Sequence, residues 1–297
     1  MNPFLASELP PSPPDQADIH IIPAPMELSV SYGKGARLGP AAILAASDQL
    51  EARETPNLRI YTQKPLAAKC KTPEKWIDTL EAQCAYALAC GAAPFTLGGE
   101  HTVTLGAAKA IKAALGEKAK VGILHFDAHA DLRDTYEGSA LSHACVMRRV
   151  HELGFPILQF ATRAYSAEEA DYRAVHRKTL TAYDATDIAH GALERPFIPK
   201  AFPKLVYVSF DLDAFDPSLM PATGTPVPGG LQWFDALDIL QTVLEGRTLV
   251  GADIVELAPV KGLHHCDFTA ARLVQELMTY LPEPCNGSCG SCQGHCH

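Results

Sequence analysis

Apolar runs without polar alternation recur along the chain at residues 19–22, 94–97, 120–126, 156–160, 204–210 and 248–255. Runs this short and uniform read as strands covered on both faces. Between them, residues 74–90, 103–115, 143–153, 233–244 and 268–281 carry apolar positions at helical spacing. Repetition of strand, helix and strand implies right-handed crossovers, and so an α/β fold whose predominantly parallel sheet has helices on both faces. Polar and charged residues follow the C-terminal ends of several apolar runs, which is where open parallel sheets bind ligands.

Composition narrows the picture. With 297 residues, 47% of them hydrophobic, the chain has enough apolar material for one continuous core. The organisation expected is a flexible Pro-rich start at 1–18, one catalytic domain at 19–284, and a Cys/His-rich tail at 285–297. A formal net charge of -9 disfavours nucleic acid as a partner and suits a small cationic substrate better. No run approaches the roughly 20 apolar residues of a membrane-spanning helix, and no cationic start leads into an apolar segment. The expectation is a cytoplasmic protein with no membrane role. Nine cysteines, an odd number, argue against a disulfide framework.

Candidate chemistry clusters after three of the strands. The segment His125-Phe126-Asp127-Ala128-His129-Ala130-Asp131 offers Asp127, His129 and Asp131 at alternate positions, which share one side of an extended chain. Ser209-Phe210-Asp211-Leu212-Asp213 adds two carboxylates, and Gly98-Gly99-Glu100-His101 adds an imidazole at a tight turn. An Asp-x-Asp alone is commonly a cap or a solvated turn, and a lone histidine is commonly packed. Four carboxylates gathered at apolar strand ends would repel one another unless cations neutralised them. Carboxylate bridges can hold two ions about 3.5 Å apart, and mixed oxygen and imidazole ligands suit manganese better than a soft metal.

GGEH at 98–101, DAHAD at 127–131, SFDLDAFDP at 209–217 and GTPVPGG at 224–230 resemble the motifs of the ureohydrolase family, the arginases and agmatinases. SYGKGARLGPAAI at 31–43 and DIVELAP at 253–259 are weaker matches in the same order, and the likeness runs from about residue 23 through 281. The resemblance implies an arginase/deacetylase-like three-layer sandwich and a homo-oligomer, trimer or hexamer. It also implies two Mn2+ per subunit, with Ni2+ or another divalent ion as the alternative. Asp127 and Asp211 would bridge the ions, His101 and Asp131 would complete one site, and His129 and Asp213 the other. Asp131 would orient the attacking water, Glu256 would anchor the guanidinium, and His143 would shuttle a proton to the departing amine. Here the chain departs from the commoner His-Gly-Thr pattern, having Ala144 and Cys145 after His143.

The loop 132–142 lacks the asparagine of the arginase branch and carries Asp134 and Glu137, which could meet a second ammonium. Agmatine, cleaved to putrescine and urea, is therefore the expected substrate. Arginine, free guanidine and guanidinobutyrate are the alternatives, and Arg133 would favour the last. Cys285, Cys289, Cys292, Cys296, His295 and His297 have spacing that suits a secondary metal site. A single-zinc deacetylase-like hydrolase is one rival. A non-catalytic metal store or sensor is another, but it would have no use for His143 and Glu256.

Overall fold

The computed structural model describes residues 2–52, 57–66, 71–116, 119–191 and 198–282. Among them, eight strands form one sheet: β1 (Ile19–Ala24), β2 (Ile60–Thr62), β3 (Ala93–Gly98), β4 (Val121–Phe126), β5 (Ile157–Phe160), β6 (Leu180–Tyr183), β7 (Leu205–Asp211) and β8 (Thr248–Val255). Their order is β2-β1-β3-β8-β7-β4-β5-β6, and every neighbouring pair is parallel. The helices are α1 (Gly39–Ser47), α2 (Pro73–Ala89), α3 (Thr104–Leu115), α4 (Val146–Glu152), α5 (Ala167–Val175), α6 (Ala185–Ala189), α7 (Trp233–Leu244) and α8 (His264–Met278).

Alternate strand residues feed two cores, as a sheet with both faces covered requires. In β4, Val121 and Ile123 pack with α2, α3 and α4, while Leu124 and Phe126 pack with α1, α7 and α8 on the other face. Phe126 stacks between Phe160 and Phe210, with ring centroids 5.0 and 4.8 Å away. These three rings close the ends of β4, β5 and β7 on one face. Each aromatic pair adds about 0.5–1.5 kcal/mol beyond its burial.

The six strands expected from the apolar runs are present within a residue or two, and β8 and α7 match to the residue. The edge strands β2 and β6 carry only one fully buried residue each, so they leave no apolar run to read. The segment at 143–153 is not one helix: a 3-10 turn, His143–Cys145, precedes α4. The start of the chain, expected to be flexible, is docked. Phe4 and Leu5 are buried in the core, and their amides donate to Thr62 Oγ1 and Ser47 Oγ at 2.9 and 3.0 Å. No helix among the described residues is long and apolar enough to cross a membrane. The tail cysteines and histidines from Cys285 to His297 lie outside the described residues.

Candidate metal centre

Four adjacent strands, β3, β8, β7 and β4, end at one rim, and each hands over part of the site. β3 runs through Gly98 into a 3-10 turn that begins at His101. A Cβ on Gly99 would lie 2.0 Å from the carbonyl oxygen of Met26, so only glycine lets the segment after β1 close over this turn. β4 delivers Asp127, His129 and Asp131; β7 delivers Asp211 and Asp213; Glu256 follows β8. Asp131 and Glu256 have positive φ, at 54° and 65°. Non-glycine residues are held there only where the surroundings over-determine them, and such positions cluster at functional sites.

The structure brings the six expected ligand residues together. His101 Nδ1 lies 3.1 Å from Asp127 Oδ2, 3.1 Å from Asp131 Oδ2 and 3.4 Å from Asp211 Oδ2. His129 Nδ1 lies 3.1 Å from Asp213 Oδ2 and 3.4 Å from Asp127 Oδ1. Asp127 therefore faces both imidazoles, one with each oxygen. Backbone donors fix the carboxylates: His129 N to Asp127 Oδ1 at 2.6 Å, Ala128 N to Asp213 Oδ1 at 3.0 Å, and Asp213 N to Asp211 Oδ1 at 2.8 Å.

This donor set fits cations. Ser209 gives its hydrogen to Asp253 at 2.8 Å, so its oxygen accepts from His101 Nε2 at 2.9 Å. With its hydrogen on Nε2, His101 aims the Nδ1 lone pair at three carboxylate oxygens; with no cation there, and against burial, those oxygens draw a proton onto it and raise its pKa well above the usual value. Lone pair and oxygens converging on one point need a positive charge between them. Without metal, protons are drawn in. Burial opposes it, but Asp213 and Asp127 push His129 up to about 12. Burial, and then Asp127, pushes Asp131 up to about 7. Burial with Asp213 and Asp127 raises Asp211 well above the carboxylate range. Against its own burial, Asp127 is held well below that range by contacts from His101, His125 and His129. Within the described residues, two groups have the compactness to hold an ion: His101, His125, Asp127 and Asp131, and Asp127, His129 and Asp213.

A cavity of about 420 Å³ opens over the centre, with His129, Asp131 and His143 in its lining. His143 is held by its amide, which donates to Ser29 Oγ at 3.0 Å, while its buried Nε2 has no partner. Burial lowers its pKa. Glu256 Oε1 accepts from His101 N at 2.8 Å, and burial, reinforced by Glu100, pushes the carboxyl up to about 8. Cys145 is a buried thiol pushed up to about 11 by burial, too high for a reactive thiolate.

Asp134 and Glu137 do not join the site. Asp134 is exposed and pairs with Arg149 and Arg148 at 2.8 and 3.4 Å, and Glu137 sits at φ 48° in a tight loop bridged by Tyr136 and Ser139. Arg133, Tyr136, Tyr165 and Glu169 line that wall instead. Glu100 also braces the site, which its motif alone does not reveal. Its carboxylate accepts from the amides of Leu28 and Ser29 and from Ser29 Oγ and Thr102 Oγ1, and Ser29 in turn holds His143. Its place between Gly99 and His101 is the one sign of this in the sequence.

The sequence model of the Arginase family matches residues 17–280. An N(1)-aminopropylagmatine ureohydrolase from Synechocystis sp. is 38% identical, over 94% of this chain and 94% of its own. An agmatinase from Bacillus anthracis is 32% identical, over 89% and 92%. The crystal structure of the agmatine ureohydrolase of Thermoplasma volcanium superposes with a TM-score of 0.78 at 26% identity, covering 94% of each chain.

Proposed function

The chain belongs to the arginase family, and on that premise we propose that this ureohydrolase cleaves a guanidinoalkylamine, agmatine or its N(1)-aminopropyl derivative, to urea and the free amine. The observation that carries the proposal is the convergence of four carboxylates and two imidazoles beneath a cavity that also receives His143. The names of the Synechocystis and Bacillus relatives support both substrates. So does the cavity wall, where the rings of Tyr136 and Tyr165 suit an alkyl chain ending in ammonium.

His101, Asp127, Asp131 and Asp211 would hold one divalent ion, and Asp127, Asp211, His129 and Asp213 the second. Oxygen and imidazole donors without a thiolate favour manganese, with nickel as the alternative. Such ions, when bound, lower the pKa of water and stabilise the charge that develops during attack. Glu256 has one oxygen fixed by His101 N, and its other oxygen pairs with guanidinium N–H groups and orients the planar cation. Asp131, both in the cluster and on the cavity wall, accepts the hydrogen bond that aims the attacking water. His143, neutral at rest through burial, takes up the proton released by attack and returns it to the departing amine nitrogen. A homo-oligomer, trimer or hexamer, belongs to the same proposal and is tested by light scattering.

The decisive assay offers manganese-loaded protein N(1)-aminopropylagmatine, agmatine, arginine, guanidinobutyrate and guanidine, and measures urea. The first two are expected to give the highest kcat/KM. A strong preference for arginine, or no urea from any of the five, overturns the proposal.

A further inference from the structure

His125, buried near the end of β4, lies beside the metal centre without lining the cavity. Its Nε2 is 2.9 Å from Asp127 Oδ2, and its Nδ1 is 2.9 Å from Gln159 Nε2. By proximity it groups with His101, Asp127 and Asp131 as a potential ligand. The position of its proton decides whether it ligates or donates.

Two groups of fixed polarity orient the Gln159 amide. Arg173 Nε, which can only donate, is 2.9 Å from Gln159 Oε1. The Ala130 carbonyl, which can only accept, is 2.7 Å from Gln159 Nε2. Flipping the amide would set donor against donor and acceptor against acceptor. Of the two amide hydrogens, one goes to Ala130 and the other to His125 Nδ1, which must accept it. Neutral His125 then carries its own hydrogen on Nε2 and donates it to Asp127.

We propose that Arg173, Gln159 and His125 form a directional hydrogen-bond relay that fixes the Nε2–H tautomer and makes His125 a positioning residue for Asp127, not a metal ligand. The relay is anchored at the cavity wall. Arg173 donates to Asp184 at 2.9 Å and packs over the ring of Tyr165 at 4.5 Å, and Tyr165, a cavity residue, donates its hydroxyl to the same Asp184 at 3.0 Å. β5, α5 and the turn before α6 thus cooperate to hold one carboxylate oxygen of the metal centre. The inference rests on the proposed role of Asp127 as a metal ligand. Partners behind a ligand orient it and tune its affinity.

The test titrates the full-length protein and its Gln159→Glu and Gln159→Leu variants with Mn(II), following the free ion by electron paramagnetic resonance, with thermal melting alongside. Glutamate keeps the shape and the acceptor for Arg173 but has no hydrogen for His125. Both variants are expected to bind Mn(II) about 10- to 100-fold more weakly. Neutron diffraction of the wild type is expected to place deuterium on His125 Nε2 and none on Nδ1. A folded Gln159→Glu variant that binds Mn(II) like the wild type overturns the relay, and so does deuterium on Nδ1. Wild-type protein that takes up no Mn(II) sinks the metal-centre reading instead, and the proton positions then decide the relay alone.

Discussion

His143 lines the cavity and Glu256 lies beside the cluster, bonded to His101 N, and substitution separates the tasks proposed for them. Glu256→Gln keeps the shape and removes the charge that would pair with the guanidinium, which is expected to cost about 2–5 kcal/mol in transition-state binding. The fall in kcat/KM is then roughly 30-fold or more, read by steady-state urea release. His143→Ala removes the proposed proton carrier, which is not among the proposed metal ligands. It is expected to lower kcat by about 10²- to 10⁴-fold while leaving Mn(II) stoichiometry unchanged, which metal analysis checks. The convergence of the six candidate ligand residues was legible in the sequence because carboxylates spaced two apart at the ends of buried apolar strands repel one another until a cation lies between them. Glu169, Gln159 and Arg173 were not. Their roles come from partners far along the chain, such as Leu132 N for Glu169 and His125 for Gln159. Asp134 misled because an exposed acid on a loop beside the site gives no sign in sequence that Arg148 and Arg149 claim it.

The elements beneath the site are braced by identifiable contacts. The Phe126, Phe160 and Phe210 stack braces the strands that carry Asp127 and Asp211. Phe126→Ala is expected to lower stability by about 3–5 kcal/mol, measured by denaturant unfolding of the metal-free protein. The loop from β7 to α7 is tied differently. Asp216 accepts from the amides of Ser218, Gly229 and Gly230 at 2.9, 2.7 and 3.2 Å, and these contacts, Ser218 foremost, bring its pKa down to about 2. The unfolded value is about 3.9, so the stabilisation is fully present above that pH and is lost as pH falls toward 2. Solvent screening keeps it under about 1 kcal/mol. The stability advantage of the wild type over Asp216→Asn is expected to shrink across that window, as unfolding midpoints taken at several pH values would register. Strand identity was legible wherever both faces are buried. It faded at β2 and β6, where one side of a short edge strand meets water and the apolar run disappears.

The chain's order of strands gives little hint that β3, β8, β7 and β4 stand side by side. Their adjacency follows from β4 crossing past two positions that β7 and β8 fill later, and only motif content linked those places beforehand. Charge repulsion at their common rim is expected to make the assembled protein more stable with cations bound. Removing metal with a chelator is expected to lower the melting temperature, and adding Mn(II) at about 100 times its dissociation constant to restore about 2.7 kcal/mol per site, as differential scanning calorimetry would report. The docking of Phe4 and Leu5 beside Ser47 and Thr62 has a practical side. Proteolytic trimming that removes Phe4 and Leu5 would open a hydrophobic hole. Preparations that differ by a handful of leading amino acids should therefore differ in shelf life, even with every catalytic group in place.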